Sequence, residues 1–279
     1  MDERLHRRRG AGLSFLMGGD GDPLLLLHGI PGSSQSWQKV GVKVASRFRV
    51  IIPDLMGFGA SDPPGENFYL EEQAKAIGGL LSYLQIKSFY LGGHDFGAPV
   101  AVTLMRLYPE LHVRGLVLSS GNLFTDTYVP LPLRLARVPG INNLLFWSMA
   151  GNRMGLRMLY ESATQNKEES RWKEFRRHLT LPSIKLTRHI FQRSLANLQA
   201  NYAEVEEMLP QITCPSLVLW GDEDPFFAIN VAERLRATLP NALLKVYAYT
   251  GHFVPEERPI ETAEDIVLRF TDQPLVIKP

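Results

Sequence analysis

Short apolar runs punctuate this chain, and between them apolar positions recur with helical period. Six runs read as strands: "PLLLLHG" from Pro23, "FRVIIPDL" from Phe48, "SFYLGGHD" from Ser88, "VRGLVLSS" from Val113, "PSLVLWGDED" from Pro215 and "ALLKVYAY" from Ala242. Helical spacing covers 36–46, 69–84, 98–108, 229–239 and 260–270. Strands alternating with helices predict βαβ units and a parallel sheet. The residues before Pro23 are expected to form an antiparallel edge hairpin.

The rhythm breaks between Asn122 and about Val205, where no strand pattern appears. This stretch reads as helical, with the charged run "KEESRWKEFRRHL" in its second half. The expected organisation is an α/β core over 1–121, a helical cap over 122–205 and the rest of the core over 206–279. In open α/β sheets ligands bind outside the carboxyl ends of the strands. An insertion after the fourth of these strands is therefore placed to roof a pocket.

Composition narrows the field. Of 279 residues 45% are apolar, enough for a sizeable core. Thirty basic and 29 acidic residues leave a net charge of +1, without the basic excess of a nucleic-acid binder. "HRRRG" near the start reads as a charged surface edge. The single cysteine, Cys214, permits no internal disulfide and reads as a buried thiol. No apolar run has the length of a signal-peptide core or a bilayer span. The expectation is a cytoplasmic protein, a monomer or homodimer, acting on a small molecule without nucleic-acid or membrane partners.

The candidate chemistry sits where predicted strands end. Gly93-His94-Asp95-Phe96-Gly97 has the spacing of a nucleophile elbow, with aspartate in the nucleophile's place. A side chain on a sharp strand-to-helix turn is pushed into the pocket, and residues two positions away must be small for strand and helix to close together. The alternative is an ordinary glycine turn with Asp95 as a helix cap. "HGIPG" ends the first parallel strand, "WGDEDPF" a later one and "GHFVPEERP" the last. His252 is the histidine of this set, and Asp222 and Asp224 compete as its acid. His28 and His94 read as packed loop residues.

With "DLMGFGASD" from Asp54, these motifs resemble in order those of α/β-hydrolase-fold enzymes with an aspartate nucleophile, a branch that includes epoxide hydrolases and haloalkane dehalogenases. The resemblance spans nearly all of the chain outside the insertion. It implies a mostly parallel sheet flanked by helices, with a helical cap and no cofactor or metal. It implies Asp95 as nucleophile, His252 as base and Asp224 as its acid, by the spacing from Gly221. The backbone N–H groups of Ile30 and Phe96 would form an oxyanion hole. A carboxylate nucleophile attacks saturated carbon and becomes an alkyl ester, which activated water then cleaves.

The leaving group separates the classes. Haloalkane dehalogenases carry a tryptophan after the nucleophile and many an asparagine after His-Gly; fluoroacetate dehalogenases carry an arginine after the nucleophile. Here Phe96 and Ile30 have no side-chain donor. Epoxide hydrolases use cap tyrosines as acids, although the residue after His-Gly in them is usually aromatic. The candidates are Tyr128, Tyr160 and Tyr202, with Tyr202 in the place most similar to a catalytic tyrosine. Trp37, Phe146, Trp147 and Tyr160 are expected to bind substrate. The expected activity is opening of epoxides of a mostly apolar molecule to diols. The alternatives are a dehalogenase with the same nucleophile, an ester or lactone hydrolase, or a binding protein without turnover.

Overall fold

A computed structural model describes residues 5–65, 68–127, 144, 147–148, 151–165, 169–176 and 179–271. Eight strands form one sheet: β1 (His6–Gly10), β2 (Leu13–Gly18), β3 (Asp22–Leu27), β4 (Phe48–Pro53), β5 (Ser88–His94), β6 (His112–Ser119), β7 (Ser216–Gly221) and β8 (Ala242–Tyr247). Their order is β1-β2-β4-β3-β5-β6-β7-β8. β1 and β2 make the expected antiparallel hairpin, with β2 running antiparallel to β4. From β4 to β8 every pairing is parallel.

Helices cover both faces. α1 (Gln35–Val44) and α10 (Pro259–Phe270) lie on one, and α2 (Leu70–Tyr83), α3 (Gly97–Leu107) and α8 (Ile229–Thr238) on the other. The period-two geometry of a strand explains how one apolar run serves both layers. In β3, Leu24 and Leu26 pack toward α1, whereas Leu25 and Leu27 pack toward α2 and α3, and all four are fully buried. Parallel strands buried on both faces read as unbroken apolar runs for this reason.

Between β6 and β7 lie α4 (Arg153–Ala163), α5 (Glu169–Arg176), α6 (Leu181–Ala196) and α7 (Leu198–Met208), with no strand among the described residues there. α7 packs against α3 and shares the core through Leu198, Tyr202 and Val205. The insertion has an apolar cluster of its own, centred on Tyr160, Trp172 and Phe175. The arginine-bearing β1 is exposed, and Arg7 pairs with the buried Asp54 at 2.7 Å. No helix among the described residues is long and apolar enough to cross a membrane.

Candidate active site

The turn from β5 to α3 consists of two residues, Asp95 and Phe96. Asp95 has φ of +50°, a left-handed conformation costing a non-glycine residue about 1–2 kcal/mol. The flanking glycines show why the chain accepts it. A Cβ on Gly93 would overlap the Gly97 carbonyl, and a Cβ on Gly97 would overlap the carbonyls of Leu27 and His28. Strand and helix close only without those side chains, and Asp95 is pinned by its N–H donating to Ser119 O at 2.9 Å.

The two carboxylate oxygens of Asp95 have different surroundings. Oδ1 accepts the Ile30 backbone N–H at 2.7 Å. Oδ2 faces His252 Nε2 at 3.5 Å, too long for a strong hydrogen bond. The other ring nitrogen, Nδ1, donates to Asp224 Oδ2 at 3.0 Å. Asp224 Oδ1 accepts the N–H groups of Phe226 (2.9 Å) and Phe227 (3.1 Å), which fixes that carboxylate. Asp222 instead accepts the Thr250 N–H at 3.2 Å, so of the two competing acids Asp224 is the one beside the imidazole. Phe96 opens α3, and its buried ring packs on Tyr69 at 5.8 Å between centroids.

Charge follows from this geometry. Burial opposes protonation of His252, but the Asp224 and Asp95 carboxylates outweigh it and push its pKa up to about 10. Burial likewise opposes ionisation of Asp95. The neighbouring His252 imidazolium and the Ile30 N–H win, and hold its pKa below the ordinary value. Two further buried histidines, His94 and His28, adjoin the site. His94 is pulled down to about 4, chiefly by burial, and donates Nε2–H to the His252 carbonyl at 3.0 Å. His28 Nε2 accepts the Leu55 N–H at 2.9 Å, so its proton is on Nδ1 and donated to Gly29 O.

Tyr202 on α7 is buried beside Tyr69, Ser194 and Asn122. Burial raises its pKa, and the charge of Asp95 adds to the rise. Tyr69, just before α2, bonds Ser194 Oγ at 2.8 Å. The sequence holds no sign of this contact, since "FYLEEQ" carries only a helix start. The same holds for Asn122 and Ser194.

The remaining expectations fare differently. Trp37 is corrected: it is fully buried under the sheet against α10, and its indole N–H donates to Leu27 O at 2.9 Å. With no accessible surface, this side chain does not touch a substrate. Tyr160 is buried too, stacked on Phe175 at 4.4 Å, with its hydroxyl donating to Glu256 at 3.3 Å instead of facing Asp95. Trp147 is 53% exposed. Phe146 and Tyr128 lie outside the described residues. Among the described residues, no cluster of side chains suits a metal ion.

Comparison with known proteins agrees with this architecture. A family model described as "alpha/beta hydrolase fold" matches residues 22–259. Haloalkane dehalogenase 2 of Mycobacterium tuberculosis is 28% identical over 259 residues, covering 90% of this chain and 89% of the relative. Epoxide hydrolase 4 of Mus musculus is 27% identical over 276 residues, covering 91% and 75%. Among solved structures, a thermophilic esterase from Thermogutta terrifontis superposes with a TM-score of 0.76 at 23% identity, covering 94% of this chain and 96% of the esterase.

Proposed function

The chain belongs to the α/β-hydrolase-fold family, and from that premise we propose that it opens epoxides of apolar organic molecules to diols through an ester on Asp95. The observation that carries this reading is the division of labour between the Asp95 oxygens. Oδ1 is occupied by the Ile30 N–H, so Oδ2 is the oxygen available to attack.

In the first step Oδ2 forms a bond to an epoxide carbon, and that carbon's bond to the epoxide oxygen breaks. The electron pair goes to the oxygen, which takes the proton of Tyr202. The buried hydroxyl next to Tyr69, Ser194 and Asn122 supports Tyr202 in this role. In the second step water gives a proton to His252 Nε2 and attacks Cγ of Asp95. Oδ1, now the ester carbonyl oxygen, becomes the oxyanion held by the N–H of Ile30, with that of Phe96 as the second donor. Such donors act in a dry, preorganised site. The intermediate collapses by breaking the alkyl–carboxyl link at Cγ, the departing alkoxide takes the proton from His252, and the water's remaining proton, left on the Asp95 carboxyl, passes to the Tyr202 phenolate to restore both groups. Asp224 orients the ring and balances its charge. The helices between β6 and β7 act as the cap that excludes bulk water.

A second reading keeps the nucleophile and replaces the leaving group with halide. The similarity to haloalkane dehalogenase 2 favours it. Against it, Trp37 and Trp220 spend their indole N–H groups on backbone carbonyls, and Phe96 offers no side-chain donor. Intact mass of His252→Gln after incubation with styrene oxide and with 1-bromobutane separates the readings. A gain equal to the whole epoxide supports opening. A gain equal to the bromide less hydrogen bromide, with no epoxide adduct, establishes dehalogenation instead. An adduct that persists in Asp95→Asn refutes the nucleophile.

A further inference from the structure

The apolar cluster inside the insertion is completed by a residue of the core. Its buried members include Leu156, Tyr160, Trp172, Phe175 and Ile184 from the insertion, and Phe253 from the loop after β8. Phe253 follows His252 directly. Its ring packs 4.9 Å from Tyr160 on one side and 5.1 Å from the His252 imidazole on the other.

The backbone is tied in the same place. His252 N–H donates to the carbonyl of Ala163, the last residue of α4, at 2.8 Å. Two residues on, the Gln165 N–H donates to Glu257 Oε2 at 2.8 Å, and Glu257 belongs to α9 (Val254–Glu257) of the same loop. The adjoining Glu256 takes the Tyr160 hydroxyl at 3.3 Å. Gly251 meets the end of α4 so closely that a Cβ there would overlap Ala163 O. The His252 carbonyl is in turn held from below by His94 Nε2. The residue that carries the imidazole is thus clamped between the elbow and the insertion, and half of the clamp depends on the insertion being seated.

Resting on the two-step reading above, we propose that α4 and the segment just after it are a positioning device for His252, gripping the 251–257 loop through Phe253 and Glu257 and so controlling ester hydrolysis while leaving ester formation untouched. The asymmetry follows from the chemistry. Asp95 attacks without a base and is pinned by β6 and Ile30, and the acid of that step, Tyr202, stands on α7, which is seated on α3. Water activation needs Nε2 within reach of both the water and Cγ. A misplacement on the order of 1 Å costs such a step about a hundredfold. Phe253 and Glu257 are positioning residues, since neither touches the reacting atoms.

Rapid-quench intact mass with styrene oxide and 1-bromobutane measures the two steps separately in Phe253→Leu, Glu257→Ala and Glu257→Gln. Circular dichroism checks that each variant is folded. For whichever probe alkylates the wild type, the proposal expects ester formation within about twofold of wild type and ester decay slowed about ten- to hundredfold in Phe253→Leu and Glu257→Ala. The ester then accumulates during turnover. Glu257→Gln keeps an oxygen for the Gln165 N–H and restores decay. Equal slowing of both steps, or unchanged decay, overturns the proposal. His252→Gln in the same assay distinguishes the two levels. If it traps ester while Glu257→Ala decays normally, the clamp is wrong and the reaction right; if it traps none, the two-step reading itself has failed.

Discussion

At the scale of single residues, the proton on His252 decides when the site holds a base. In the free protein two carboxylates flank the ring, and the pKa of about 10 keeps it charged at neutrality. Esterification neutralises Asp95 and removes one of the charges that raise this pKa. The alkylated form therefore loses the proton at lower pH than the free form, where water must be activated. Ester decay should rise with pH to a plateau, with an inflection below 10, as read in single turnovers across a pH series. Asp224→Asn removes the other raising charge, so its inflection falls further. Its decay should also slow by about 10²–10⁴-fold, since the ring loses its orienting partner. Tyr202→Phe should slow epoxide opening over a similar span of about 10²–10⁴ and leave ester decay nearly unchanged. The same quench measurement checks it.

At the scale of elements, the β5–α3 elbow stores strain at Asp95 that the two glycines permit. Gly93→Ala forces a methyl group against the Gly97 carbonyl. Overpacking of this kind costs about 1–3 kcal/mol, expected as a lower urea midpoint with an unchanged slope. The elements themselves were legible. The apolar runs at Pro23, Phe48, Ser88, Val113, Pro215 and Ala242 each start within a residue of an observed strand. Strands of this kind announce themselves because burial on both faces leaves no polar interruption. Trp37 was not legible in the same way. Its helix is amphipathic whichever face of the sheet it covers, and only the tertiary packing enclosed its ring completely between the sheet and α10.

At the scale of the whole molecule, the site's charges tie stability to pH. The folded pKa of His252 lies above the ordinary 6.5, so its stabilisation is complete below about pH 6.5 and is lost as pH rises through about 10. Asp95 and Asp54 have folded values below 3.8. Asp54 is lowered, against burial, by the N–H groups of Ala60 and Ser34. Their stabilisation is present above 3.8 and is lost as pH falls through the depressed values. Denaturation midpoints should accordingly hold between these arms and fall on either side. Asp95→Asn should flatten the alkaline arm, because one of the two charges raising His252 is gone.

By itself the sequence determined the strand–helix alternation, the elbow and the order of the three polar residues at strand ends, because each is a local pattern of residue types set by backbone geometry. The resemblance pointed to Asp224 through its spacing from Gly221, and the tertiary structure sets Asp224 beside His252 and Asp222 against the Thr250 N–H. It alone brought Tyr69 to Ser194, 125 residues away, and seated Phe253 in the insertion's apolar cluster. Such contacts depend on how the helices between β6 and β7 fold back onto the sheet edge. That packing is a property of surfaces distant in the chain, and no local period records it.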